Sequence, residues 1–170
     1  MKILPTTAVL TPTGIAELLA DGLRLHRVGE LVEAEAHYRQ VLAAEPDHPE
    51  ALNLLGLISF QKGRYDSAVE LIGRAIEQNG NNAGYFSNLG NVLYAYGKFD
   101  EAATTYQQAI SKTEDFADSH VNAGEVYNNL GGALNELGRY DEALDAYRNA
   151  IKINPRDAKA FYNLGITPKY

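Results

Sequence analysis

The sequence predicts an all-α fold, a solenoid of antiparallel helix pairs, and two observations carry that prediction. The first is self-similarity at a fixed step: Gly22, Gly56, Gly90 and Gly124 lie 34 residues apart, as do Gly29, Gly63 and Gly97. Leu31, Tyr65 and Phe99 keep the same step, and so do Ala34, Ala68 and Ala102. A period of this size is the signature of stacked helical hairpins. The second observation is the apolar spacing inside each unit. Leu52, Leu55, Gly56 and Ser59 recur three and four apart, followed by Tyr65, Ala68, Ile72, Ala75 and Ile76, which describes two short amphipathic helices. One hairpin cannot bury its apolar stripe alone, so neighbouring hairpins must stack.

Taken in chain order, residues 1–13 read as a flexible arm, with a helix start at Thr11 and Pro12. Residues 14–170 form the array, with units at 15–48, 49–82, 83–116 and 117–157 and a half unit at 158–166. The glycine of each leucine-glycine step lets the paired helices approach closely, and the glycine between helices permits the positive φ that ends the first helix. Asp47 with Glu50, and Pro46 with Pro49, mark the start of the second unit. The pattern resumes at Gly131, Gly138, Tyr140 and Ala143, each 41 residues after its counterpart, so the fourth unit holds a seven-residue insertion. Two registers fit there, one on Asn122, Gly124 and Tyr127, the other on Asn129, Gly131 and Leu134. Seven residues are nearly two helical turns, which favours one long helix from about Asp118 to about Leu137. The alternative is a break near Gly131 and Gly132. Ala158 to Ile166 matches a first helix, and Pro168 forbids continuation. Phe161 and Leu164 are expected to pack on the fourth unit, while Tyr162, Ile166 and Tyr170 face an open end. That end is either a cut in a longer chain or a lone capping helix, and it implies self-association.

These residues resemble the tetratricopeptide repeat family. The third unit reads Phe86, Leu89, Gly90, Leu93, Ala102 and Tyr106, and the fourth reads Tyr127, Leu130, Gly131, Leu134, Ala143, Tyr147 and Pro155. The family lacks its usual tryptophan here, Asp21 replaces a leucine in the first unit, and Ser59 and Ile72 replace aromatic residues in the second. The resemblance implies a right-handed superhelix whose first helices line a concave groove, and a protein-binding scaffold rather than an enzyme.

By that resemblance the groove carries Leu19, Leu23, His26, Asn53, Leu57, Phe60, Ser87, Asn91 and Tyr94. Leu23, Leu57 and Phe60 would form an apolar patch unless neighbouring side chains cover them. A second column stands before the leucine-glycine step: Asn88, Asn122, Asn129 and Asn163, with Ala20 and Leu54 in its place in the first two units. Asparagine is a mediocre helix former, so its recurrence asks for a reason. The column is similar to the asparagine ladder in the superhelix of O-linked N-acetylglucosamine transferases, as is the wording of Asn88-Leu89-Gly90-Asn91, Phe116-Ala117-Asp118-Ser119-His120 and Asn129-Leu130-Gly131. The implied role is backbone recognition of an extended peptide, in one form as the recruiting module of a larger transferase. The other reading is that these asparagines serve packing or capping. A self-assembling structural module is the alternative function. Repeat receptors for acidic chaperone tails clamp a carboxylate with lysine and arginine, whereas Leu19, Glu50, Gly84, Leu54 and Asn88 stand at the matching positions here.

Composition narrows the function further. Fifteen basic residues against 22 acidic ones give a formal charge of −7, which opposes the counterion-release term of nucleic-acid binding. The absence of cysteine excludes disulfides and thiolate metal sites. His26, His37, His48 and His120 lack the spacing of a helical metal site. Acidic residues at second-helix starts, such as Glu33, Glu35, Asp100, Glu101, Asp141 and Glu142, match the positive end of a helix dipole and need no acid-base chemistry. No cofactor is implied. No apolar run reaches the ~18 residues of a membrane span, and the short start is interrupted by Pro5 and Pro12, so a cytoplasmic protein is expected.

Overall fold

A computed structural model describes residues 11–115 and 123–168. Among these residues there are nine helices and no strand: α1 (Pro12–Arg27), α2 (Leu31–Ala44), α3 (Pro49–Gln61), α4 (Tyr65–Gln78), α5 (Ala83–Ala95), α6 (Phe99–Asp115), α7 (Ala123–Glu136), α8 (Tyr140–Ile153) and α9 (Ala158–Ile166). Each odd-numbered helix packs on the even-numbered helix that follows, and each pair packs on the next. Contacts also join α3 to α5, α5 to α7 and α7 to α9, so the odd-numbered helices form one continuous layer. The array is an all-α solenoid of the tetratricopeptide kind.

Turn chemistry fixes the hairpins. Gly29, Gly63, Gly97 and Gly138 have φ of 85°, 70°, 79° and 72°. Beyond each, a backbone N–H bonds back five residues, as Arg64 N does to Ser59 O at 2.8 Å and Lys98 N to Leu93 O at 2.9 Å. This left-handed cap satisfies carbonyls that the helix end would otherwise orphan. Helix starts take side-chain acceptors. Thr11 caps α1 with Pro12 following, and Asn82 and Asp157 cap α5 and α9. At α3 the reading from sequence needs correction: Pro49 opens the helix, but His48 Nδ1 accepts from Ala51 N at 3.3 Å, and Asp47 instead pairs with Arg74 at 2.9 Å. Once Pro49 occupies the first helical position, the residue before it is the cap.

Three apolar clusters follow one another along the array, centred on Tyr38 and Ile58, on Leu52 and Ile72, and on Tyr106 and Tyr147. A polar clip joins the first two pairs, where Glu35 accepts from both Arg39 and Lys62. The insertion falls partly within the described residues. Helix α7 runs unbroken through Gly131 and Gly132, so no break occurs there. Its described portion has 14 residues, and the proposed extension back to Asp118 lies outside the described residues. At the far end Leu164 packs on the last cluster as expected, but Phe161 is 50% exposed and Ala160 takes the buried position. Tyr162 and Ile166 are exposed, and Tyr170 lies outside the described residues.

Candidate functional site

The leucine-glycine steps organise the inner layer. A Cβ placed on Gly22 would sit 2.5 Å from the Tyr38 ring, on Gly56 2.6 Å from Ile72, on Gly90 2.5 Å from the Tyr106 ring, and on Gly131 2.5 Å from the Tyr147 ring. Each glycine is therefore a notch through which a residue of the following helix passes. Where that residue is tyrosine, its hydroxyl can reach the odd-helix layer. Tyr106 OH donates to Asn91 Oδ1 at 2.8 Å, and Tyr38 OH lies 3.5 Å from His26 Nδ1. Burial pushes the Tyr38 and Tyr147 phenols up to about 12 and raises Tyr106 still further. These tyrosines remain neutral hydrogen-bond donors across the physiological range. The second pair has Ile72 and Phe60 at the places of Tyr38 and His26 and brings no hydroxyl through its notch.

A cavity of about 590 Å³ opens over α5, α7 and α9. Phe60, Tyr94, Tyr106 and Tyr147 supply aromatic wall, and Asn91, Asn128, Asn129, Asn135 and Asn163 supply amides, with Glu136 and Lys159 also in the lining. The Tyr94 ring lies beside Gly132, where an added Cβ would make only ordinary contact at 3.7 Å, and meets Phe99 edge-on at 5.3 Å. Such a concave, mostly preformed wall with a few convergent polar groups has the character of a recognition site.

The asparagine column is wired into the protein. Asn88 Nδ2 donates to Asn53 Oδ1 at 3.0 Å, Asn163 Nδ2 to Asn128 Oδ1 at 3.0 Å, and Asn129 Nδ2 to Asn91 Oδ1 at 3.1 Å. In the first two pairings the acceptor stands one position before the column in the preceding unit. The third unit has the short Ser87 there, and Asn129 reaches Asn91, one turn further along, instead. Asn53 and Asn128 are buried, at 6% and 2% exposure. The column therefore satisfies buried amides, which is the packing role weighed above for it. Asn135 Oδ1, by contrast, is buried without a partner.

The expected groove residues separate accordingly. Phe60, Asn91, Tyr94, Asn129 and Asn163 gather at the cavity. Leu19 does not belong to an exposed groove: it is 8% exposed and packs in the first cluster, because the position three before the glycine points between helices. Leu23 and Leu57 are partly buried against that cluster, so they form no open apolar patch. His26 bonds Gln61 Oε1 at 3.1 Å, bridging the first two pairs. Asn53 is buried under Asn88, Ser87 is half-buried outside the cavity lining, and Asn122 lies outside the described residues. Sequence reading missed Asn128 and Asn135, although they follow Ser87 and Tyr94 by the same 41-residue step and were legible by it. It also missed the hydroxyls of Tyr106 and Tyr147, whose rings read as core. Among the described residues no group of three or more histidines and carboxylates could hold a metal, and no helix is long and apolar enough to cross a membrane.

Comparison with known proteins follows this geometry. Residues 81–156 match a tetratricopeptide repeat model, and residues 29–109 match the model of anaphase-promoting complex, cyclosome, subunit 3. A TPR repeat-containing protein of Pseudomonas aeruginosa is 30% identical over 105 residues, 61% of this chain and 18% of that protein. The photosystem I assembly protein Ycf3 of Synechococcus is 27% identical over 53% of this chain and 62% of its own length. The chain thus spans less than two thirds of these relatives. Among solved structures, YrrB, a TPR protein with an unusual peptide-binding site, superposes with a TM-score of 0.73 at 27% identity, covering 88% of this chain and 73% of that one. An O-GlcNAc transferase from Thermobaculum terrenum superposes at 0.75 and 28% identity over 86% of this chain and 27% of the transferase. MamA shares the fold at 0.75 and 24% identity, over 85% of this chain and 81% of its own. The 34-residue step, the glycine notches and these matches agree on a tetratricopeptide repeat array, with residues 81–156 matching the family's model.

Proposed function

We propose that the chain is a protein-protein interaction scaffold that holds an extended, non-acidic peptide segment along the odd-numbered helices. The observation that carries this reading is the cavity over α5, α7 and α9, where aromatic rings and amides converge. Stacked helices lie ~8–10 Å apart and an extended strand rises ~3.3 Å per residue, so each helix meets roughly every third peptide residue. Amides pair with a peptide's own N–H and carbonyl groups without reading its side chains. Phe60, at the margin of the cavity, supplies an apolar anchor beside Leu57. The units at 15–48, 49–82, 83–116, 117–157 and 158–166 would each contribute one step of this surface. The likeness to YrrB supports peptide binding, and the likeness to the Thermobaculum terrenum enzyme supports a recruiting role within a larger transferase-like protein.

The test is selection of ligands from a random peptide library, followed by affinity measurement. Tyr94→Ala and Phe60→Ala, each checked for folding by circular dichroism, are expected to weaken a selected peptide about tenfold, the scale of one aromatic anchor. Unchanged affinity in both variants would remove the groove from the mechanism.

A second reading is self-association through α9, favoured by the exposure of Phe161, Tyr162 and Ile166 at 50%, 66% and 60%. Light scattering over a wide concentration range distinguishes it, since a constant monomer mass rejects it.

A further inference from the structure

We infer that the cavity over α5, α7 and α9 receives a single arginine side chain from the bound segment, a conclusion that rests on the peptide-groove reading above. Three amide oxygens of the lining are left to a ligand. Asn129 and Asn163 each commit Nδ2 to another asparagine, and neither Oδ1 has a protein partner among the described residues. Asn135 Oδ1 is buried with no partner at all, and leaving it so carries the full cost of desolvation. A ligand group that only donates, through several N–H bonds in one plane, meets these oxygens together. Guanidinium is that group.

Shape and charge agree with the donor count. The Tyr94 ring meets Phe99 edge-on and forms part of the wall, and a guanidinium stacks on an aromatic face where an ammonium only approaches it as a point. Glu136 lies in the same lining, close enough to Tyr94 that its charge, after burial, helps hold the phenol neutral. The chain's formal charge of −7 draws a cationic segment toward the surface. Lys159, at the first turn of α9, also lines the cavity and opposes the cation, so its removal should strengthen binding. The pocket offers one carboxylate and the Tyr94 ring, which suits a single arginine.

The experiment titrates the full chain with two small probes, N-acetyl-arginine methylamide and its neutral isostere N-acetyl-citrulline methylamide, and follows the side-chain amide resonance of Asn135. The arginine probe is expected to bind about tenfold more tightly than the citrulline probe, the scale of a charge-assisted hydrogen bond over a neutral one. Asn135→Leu should remove most of that preference and Lys159→Met should raise arginine affinity, both with unchanged circular dichroism. Equal binding of the two probes, or a preference that survives Asn135→Leu, overturns the inference. The groove reading fails separately. If library peptides bind through Tyr94 while the probes behave alike, the groove stands and the arginine pocket falls. If the arginine probe binds selectively and no peptide does, the pocket stands without the groove.

Discussion

The second and third helix pairs share one backbone plan and present opposite chemistry. In α3 and α4, Ile72 fills the notch at Gly56 and Phe60 lies four residues beyond it; in α5 and α6, Tyr106 fills the notch at Gly90 and Tyr94 lies four beyond. The first arrangement brings no hydroxyl through its notch. The second puts a phenol under Asn91 and begins the amide-lined cavity. The difference teaches that groove character at each step is set jointly by one residue on each helix of the pair, not by the inner helix alone.

The sharpest way to break the comparison is at the notches. Gly90→Ala drives a Cβ into three Tyr106 ring atoms at 2.5–3.0 Å, while Gly56→Ala meets a single Ile72 atom closer than 3.0 Å. Overpacking should cost about 3 kcal/mol at Gly90 and nearer 1 kcal/mol at Gly56, measured by urea denaturation. Gly73, whose added Cβ would meet nothing within 4 Å, serves as control: Gly73→Ala should stabilise by ~0.5–1 kcal/mol. Equal losses at the two notches would show that the ring and the aliphatic chain yield alike.

A somewhat smaller effect tests the asparagine column. Replacing Asn88, Asn129 and Asn163 together by alanine strips donors from Asn53, Asn91 and Asn128. Stability should fall by about 2–3 kcal/mol, because the buried Asn53 and Asn128 lose partners and Asn91 keeps Tyr106. An unchanged denaturation midpoint would mean that water replaces the lost donors. Tyr106→Phe is the milder probe of the wet pair and should cost about 1 kcal/mol, since Asn91 Oδ1 still accepts from Asn129.

The smallest effect concerns the clip between the first two pairs and is a pH dependence. Hydrogen bonds from Lys62 and then Arg39 hold the Glu35 carboxyl below its ordinary value of 4.5. A folded value below the unfolded one means that the clip contributes fully above about pH 4.5 and is lost as pH falls through the lower folded value. Glu35→Gln should therefore flatten the acid limb of a stability-pH profile and leave its slope near neutrality unchanged. A parallel acid limb in the variant would show that the clip is screened by solvent.

What the sequence made legible was periodic. The 34-residue step predicts the helix pairs, the positive-φ glycines and the close approach at Gly22, Gly56, Gly90 and Gly131, all of which the structure contains. What it left hidden was the direction of side-chain bonds. Asn88 looked like a ligand amide because its column repeats, yet its Nδ2 donates to Asn53, 35 residues earlier and itself expected to face the groove. Leu19 read as groove by the family resemblance, but it is 8% exposed and packs in the first cluster. Such pairings depend on rotamers and on distances between helices, which a one-dimensional step does not encode. Asn135 shows the converse, a residue on a visible column whose lone buried oxygen only the packing reveals.

The residue that crosses each glycine notch belongs to the outer layer, yet at Gly90 that residue, Tyr106, delivers its hydroxyl to Asn91 on the inner one. Recognition can therefore be rewritten from behind. A mutation on the far helix can add or remove one hydroxyl on the inner layer while leaving every inner-helix residue as it was. A surface that drifts in this way changes its preference one unit at a time, because each notch serves a single hairpin and stacked hairpins contact chiefly their neighbours. Grafting Tyr106 with Asn91 into another hairpin of this array, as a matched pair, would carry the wet step with them.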